Sequence, residues 1–298
     1  MRSSRKPHHV RSLLISMATV MLVFTACGES EPEETTTAAT APATTAAQPE
    51  HAFGGRLAEV VERGVLRVGV AFYAPTSIET PEGDIRGVDI DVTGQLAERL
   101  GVDIEYIPVG WDVIAAGVQA DRYDMTVTLV VSDERDQVLD FSDPLYSVDQ
   151  LFLVRADSPY QTLDDLNDPS VTAIVSVGSY GETVVDTYIP NVTKRTVAGI
   201  TNVQALAEVL TGRADVEVIE TPFTTRRVKA RYGDDVRFIP DVTEPLQSDF
   251  VAYGLPEGDS EFVEYVNAFL ADLRAANAIE PLFDKYVEEL LEPIIIEE

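Results

Sequence analysis

Cysteine is almost absent from the chain. A single one, Cys27, stands among 298 residues, so no intramolecular disulfide can form. Positive charge is scarce as well, with 22 Lys and Arg against 51 Asp and Glu, for a formal net charge of -29. That balance argues against nucleic acid as a partner and against general adhesion to anionic lipid. It leaves room for a small anionic or zwitterionic ligand, because local donors rather than net charge set a pocket. Long apolar runs are missing too: the stretch 13–26 is apolar but too short to span a bilayer comfortably. No metal-binding or cofactor motif is read, so neither is expected.

The N-terminal stretch belongs to targeting. Arg2, Arg5, Lys6 and Arg11 form a basic region ahead of the apolar run, and Phe24-Thr25-Ala26 precedes Cys27. Small residues before a lone thiol resemble a bacterial lipobox, with Phe24 in place of the usual Leu. Residues 1–26 are therefore expected to be a lipoprotein signal peptide, with Cys27 lipidated. The competing reading is an ordinary secretory signal, or an uncleaved anchor, with an incidental cysteine. Residues 27–52 are rich in Thr, Ala, Pro and Glu, bury little, and are expected to be a disordered tether. Removing residues 1–26 takes away four basic residues and no acidic ones, leaving a formal charge of -33.

About 245 residues remain, enough for one domain or two lobes. Strand and helix patterns alternate through them. Residues 66–70, LRVGV, read as a strand, and residues 72–82 as a hairpin or loop turning at Gly83-Asp84. Val92, Leu96 and Leu100, four apart, predict a helix over 88–100 that Gly101 ends. A strand over 102–107, a helix over 111–120 and a strand over 125–131 follow. The alternation predicts βαβ units and a mainly parallel sheet, with a site outside the strand C-termini. Tyr73 and Trp111 both follow strands and are candidates to cover an apolar ligand part; Trp111 as a core residue is an equal alternative. Asp91 or Thr93 is expected to cap the helix over 88–100.

The stretch 122–146, RYDMTVTLVVSDERDQVLDFSDPLY, organises the chain. Ser132 suits the cap of a short helix beginning Asp133-Glu134-Arg135. Arg135 has two readings of equal weight. A guanidinium there grips a ligand carboxylate with two parallel hydrogen bonds, or it pairs structurally with Asp133, Asp136 or Asp140.

Ser-Asp-Glu-Arg followed by V-L-D-F-S-D-P-L-Y resembles the extracytoplasmic substrate-binding proteins of amino-acid ABC transporters, whose pattern is T-P-E-R and D-F-S-x-P-Y. Residues 66–70, 87–101 and 111–124 match further segments in order, and the resemblance covers about residues 57–287. It implies a two-lobed periplasmic-binding fold of type 2 joined by two hinge strands. The lobes would comprise residues 53–148, 149–243 and a return over 244–298. It implies that Arg135 holds a carboxylate. It implies the same contact from the second lobe for Ser179 and Tyr180 in G-S-Y-G-E, where relatives carry G-T-T-G-E. Glu220 stands where relatives place the partner of the ligand ammonium. For Ser179 plain helix capping, and for Glu220 a solvated strand end, remain the alternatives.

Three departures bear on the ligand. Thr76 replaces the Phe of the stacking wall after Tyr73-Ala74-Pro75, Val130 stands where a hydroxyl is common, and Tyr180 replaces Thr. Thr128 compensates for Val130 if the loop is one residue shorter. The resemblance implies a monomeric, non-enzymatic binding protein, lipid-anchored outside the cytoplasm, whose partners are a small amino acid or carboxylate and an ABC permease. The rival readings are a cyclohexadienyl dehydratase on the same fold, acting on prephenate or arogenate with Glu182 as its catalytic carboxylate, and a ligand-sensing module.

Overall fold

The structure is a computed structural model that describes residues 53–290. The stretch expected to be a signal peptide, Cys27 as the expected lipidation site, the whole of the expected tether and residues 291–298 lie outside the described residues.

In chain order, α1 (Gly55–Arg63) buries Leu57 and Val60 and ends at Gly64, whose φ of +73° suits glycine. β1 (Val65–Val70) is the LRVGV strand. β2 (Ile78–Glu79) and β3 (Ile85–Arg86) pair as the small antiparallel hairpin around Gly83-Asp84. α2 (Val88–Leu100) buries Val92, Leu96 and Leu100, as their spacing requires. β4 (Asp103–Pro108) follows, then α3 (Ile114–Gln119). α3 starts three residues later than the sequence pattern suggests. A turn closed by Val113 N–H donating to Gly110 O occupies the intervening positions.

β5 (Met125–Thr126), β6 (Thr128–Val130), α4 (Asp133–Asp136) and β7 (Asp140–Phe141) complete the first pass through lobe 1. β8 (Tyr146–Arg155) leads into lobe 2. There the order is α5 (Leu163–Leu166), β9 (Thr172–Ser176), α6 (Tyr180–Tyr188), β10 (Thr193–Val197), α7 (Asn202–Leu210), β11 (Val216–Thr221), α8 (Phe223–Tyr232) and β12 (Val236–Ile239). Capping boxes, Thr162 with Asp165 and Thr201 with Gln204, open α5 and α7. β13 (Gln247–Leu255) returns to lobe 1, and α9 (Ser260–Ala275) and α10 (Ile279–Glu289) finish it.

The fold is a two-lobed α/β architecture. In lobe 1, β1 lies between β4 and β5, all parallel. In lobe 2, β10, β9 and β11 are parallel, whereas β8 runs antiparallel to β11, β12 and β13. The sheets are thus parallel within the βαβ units and mixed where the chain changes lobe. The run 125–131 is not one strand. β5 joins β1 of lobe 1, and β6 pairs antiparallel with β13. The break falls at Val127, just after Thr126, whose hydroxyl accepts from Gly254 N (3.0 Å) and donates to Val127 O (2.7 Å).

Lobe 1 packs around one apolar core that includes Leu57, Leu66, Leu96, Phe262 and Phe283, all fully buried. Side chains of this size contribute roughly 1.5–3 kcal/mol each when fully buried. Tyr123 fills the space between β1 and α3. A Cβ on Gly69 or Gly117 would come within 2.5 or 2.0 Å of its side chain, and its hydroxyl donates to Ile114 O at 2.7 Å. The buried Asp124 beside it accepts from Arg63, Arg67 and the Arg67 backbone N–H, tying α1 and β1 to β5. In lobe 2 the sheet is covered on both faces: Phe152, Val175 and Val185 pack on one, Leu151, Ile174 and Leu206 on the other.

Candidate functional site

The strands of both lobes end at a shared cleft, the place where open α/β sheets hold ligands. A cavity there is lined from lobe 1 by Tyr73, Trp111, Thr128 and Arg135, and from lobe 2 by Ser179, Tyr180 and Glu220. Every ligand residue named from the sequence within the described chain therefore reaches one cavity.

Arg135 sits in α4. Ser132 caps that helix, its hydroxyl accepting from Arg135 N–H at 3.4 Å. Among the described residues no ion pair joins Arg135 to Asp133, Asp136 or Asp140. The guanidinium donates instead to two carbonyls, Val130 O at 2.9 Å and, across the cleft, Gly178 O at 3.5 Å. Burial lowers its pKa, and the charges of Glu134 and Glu220 act in the opposite direction. A half-buried guanidinium whose partners are neutral carbonyls is suited to hold an anion.

Glu220 leaves the end of β11. Burial pushes its carboxyl up to about 7, against the hydrogen bond from Gln150 and the charge of Arg135, with Asp249 adding to the rise. Gln150 Nε2 donates to Glu220 Oε1 at 3.5 Å. A carboxylate poised this way gains most from a cation that arrives with the ligand.

Thr128 is committed on one side. Its hydroxyl donates to Asp89 Oδ2 at 2.8 Å and its N–H to the same oxygen at 3.2 Å. Asp89 is fully buried behind the cavity wall, and burial pushes it up to about 7. Ser179 occupies the cap position of α6, but its side chain makes no cap hydrogen bond. The adjacent Gly178 N–H is taken by Glu182 Oε1 at 2.8 Å. Tyr180 places its ring on the cavity while its hydroxyl joins the crossing strand, accepting from Gln247 Nε2 at 2.9 Å and lying 3.3 Å from Asp249 Oδ1. Trp111 does both things considered for it: it packs against the lobe 1 core and lines the cavity. The Tyr73 hydroxyl is buried without a partner, and burial and the charge of Glu220 raise its pKa.

Neither Asp91 nor Thr93 caps α2. Gly87 holds the cap position at φ +140°, where a Cβ would sit 2.2 Å from Thr76 O. Asp91 faces α10 instead, bonding Lys285 Nζ and the Tyr286 hydroxyl at 2.9 Å each, and the Thr93 hydroxyl turns back to Asp89 O at 2.7 Å.

Sequence reasoning missed Gln150, Ser176, Asn202 and Glu217, which also line the cavity. Asn202 bridges the lobes: Ala74 N–H donates to its Oδ1 at 3.0 Å, and its Nδ2 donates to Ala74 O at 2.9 Å. Gly178 meets the other lobe closely, since a Cβ there would fall 2.4 Å from Asp112 Cα. At the rim, Phe223 of α8 stacks on Phe283 of α10 with centroids 3.5 Å apart, and Arg226 pairs with Asp284 at 2.6 Å. The described residues include no His, Cys, Asp and Glu grouping fit for a metal ion.

The sequence profile of the bacterial extracellular solute-binding proteins, family 3, matches residues 66–289. Cyclohexadienyl dehydratase of Pseudomonas aeruginosa is 29% identical over 219 residues, covering 72% of this chain and 80% of the relative. The L-cystine-binding protein TcyJ of Escherichia coli is 27% identical over 236 residues, covering 78% and 86%. A crystal structure of an ancestral amino acid-binding protein, described as a precursor of cyclohexadienyl dehydratase, superposes with a TM-score of 0.69 at 30% identity, over 78% of this chain and all of that one. The profile match over most of the chain, together with the two-lobed fold, makes this protein a member of the bacterial extracellular solute-binding proteins, family 3.

Proposed function

We propose that the chain is a lipid-anchored extracytoplasmic receptor that captures an α-amino acid or a similar small carboxylate by lobe closure and delivers it to an ABC permease, without chemistry on the ligand. Cys27 is the anchor in this reading and the chain acts as a monomer. The observation that carries the binding role is Arg135, a half-buried guanidinium on the cleft whose hydrogen-bond acceptors are carbonyls. It grips the ligand carboxylate, Glu220 takes the ammonium, and Ser179 and the ring of Tyr180 close over the ligand from lobe 2. Tyr73 and Trp111 cover its apolar part.

The likeness to a dehydratase supports a second reading, in which Glu182 is catalytic. Its environment favours binding alone. The Glu182 carboxylate accepts from Gly178 N–H and lies 3.5 Å from Lys194 Nζ, a structural engagement beside the cleft.

Calorimetry against an amino-acid panel tests the proposal. Arg135→Ala is expected to weaken carboxylate ligands by about a hundredfold or more, the loss of two charge-assisted hydrogen bonds, with the circular dichroism spectrum retained. Glu220→Gln is expected to weaken ligands with a free amine more than their des-amino analogues. Wild-type affinity in a folded Arg135→Ala variant overturns the binding role. Turnover of prephenate or arogenate that Glu182→Gln abolishes would establish the enzymatic reading instead.

A further inference from the structure

Three polar atoms on the cavity wall are buried and have no hydrogen-bond partner: Tyr73 Oη, Ser176 Oγ and Glu217 Oε2. Buried polar groups in folded proteins are nearly always paired, so three orphans on one cavity call for a common explanation. Two of them share one face of the lobe 2 sheet. Glu217 of β11 pairs in register with Ile174 of β9, and Ser176 lies two residues beyond Ile174 on the same face. Ile200 and Ala205 enclose them with apolar surface. Glu217 is only 3 % exposed, and it stands three residues from Glu220, about 10 Å further from the strand end. The cavity thus continues past the expected ammonium site into lobe 2 and meets a second carboxylate.

Arg227 of α8 does not satisfy this carboxylate. It is itself 3 % exposed, no ion pair joins the two among the described residues, and Glu217 stays well above the usual carboxylate range with the charge of Arg227 acting on it. The ionisable carboxylates and guanidinium that line the cavity are Arg135, Glu217 and Glu220, which sum to one negative charge when all are ionised. A ligand with one further positive group supplies the partner that Glu217 Oε2 lacks.

We propose that Glu217 and Ser176 form a distal subsite for a basic group at the far end of the ligand, and that the ligand class is a dibasic α-amino acid. This rests on the amino-acid reading above. The ligand carboxylate lies on Arg135 and its α-ammonium on Glu220. The side chain runs inward along Ile174, and its terminal ammonium or guanidinium donates to Glu217 Oε2 and Ser176 Oγ. Tyr73 Oη supplies an acceptor over the same path.

The test is calorimetry of the whole soluble chain with matched pairs: lysine against norleucine, and arginine against citrulline. The basic member of each pair is expected to bind about tenfold to a hundredfold tighter. Glu217→Gln is expected to bring lysine down to the norleucine value. Ser176→Ala narrows the gap by a smaller factor, and it carries the test if Glu217→Gln does not fold. Equal binding of lysine and norleucine overturns the distal subsite and leaves the amino-acid reading standing, as does a gap that survives Glu217→Gln. A preference for acidic amino acids has the same meaning. Failure of every amino acid to bind overturns the amino-acid reading and this inference together.

Discussion

Asp89 carries a carboxyl that burial deprives of solvation. Two hydrogen bonds from Thr128 reach one oxygen, and Oδ1 has no partner. Burial, the dominant effect, raises the carboxyl to about 7 from 3.8, so the folded chain holds this proton more tightly than the unfolded one. The stability contribution follows with a definite sign. Nothing is lost below the unfolded value; stability then declines as pH rises from about 4 to about 7 and levels off above, by on the order of 4 kcal/mol at most. Asp89→Asn removes the titration. Its melting temperature is expected to change less between pH 4 and 7 than that of the wild type, and parallel curves would refute the assignment. Glu220, also raised to about 7, slopes the same way. A ligand ammonium reverses its part, because binding favours the ionised carboxylate.

Elements differ in how far they can be read from sequence. α2 is legible because burial of Val92, Leu96 and Leu100 depends on local periodicity. Arg135, Ser179 and Glu220 were locatable because each follows or ends a strand, where an α/β sheet opens to ligand. The split of the run 125–131 was not, since it depends on Gly254, 128 residues away. Glu217 was missed for a similar reason. In Val-Glu-Val-Ile-Glu a carboxylate reads as an outward strand position, and only the packing of α7 and α8 turns that face inward. The junction before α6 gives a prediction at this scale. Gly178 has φ +72° and no room for a Cβ against Asp112. Gly178→Ala is expected to leave each lobe folded, at about 1 kcal/mol of backbone strain, but to hold the lobes apart. Ligand affinity should fall at least about tenfold, with a larger radius of gyration by small-angle scattering. Wild-type values for both would contradict this account of the contact.

At the scale of the molecule, the contacts between the lobes include the Asn202 amide on Ala74, Arg135 on Gly178 O, the Phe223–Phe283 stack and the Arg226–Asp284 pair. Asn202→Ala removes two hydrogen bonds that join the lobes. At roughly 0.5–1.5 kcal/mol each, the shift favours the open form and lowers apparent affinity in proportion to the closed fraction. Distance measurements between labels on the two lobes should then show more open molecules without ligand, and an unchanged distribution would remove Asn202 from the closing mechanism. β8 and β13, which carry the chain between lobes, are paired with each other from Tyr146 with Val251 to Gln150 with Gln247. Two strands laced rung to rung flex and twist as one ribbon, yet cannot slip lengthwise without breaking every rung. The joint is therefore a door and not a drawer, and whatever pulls on the two halves moves them along a single arc.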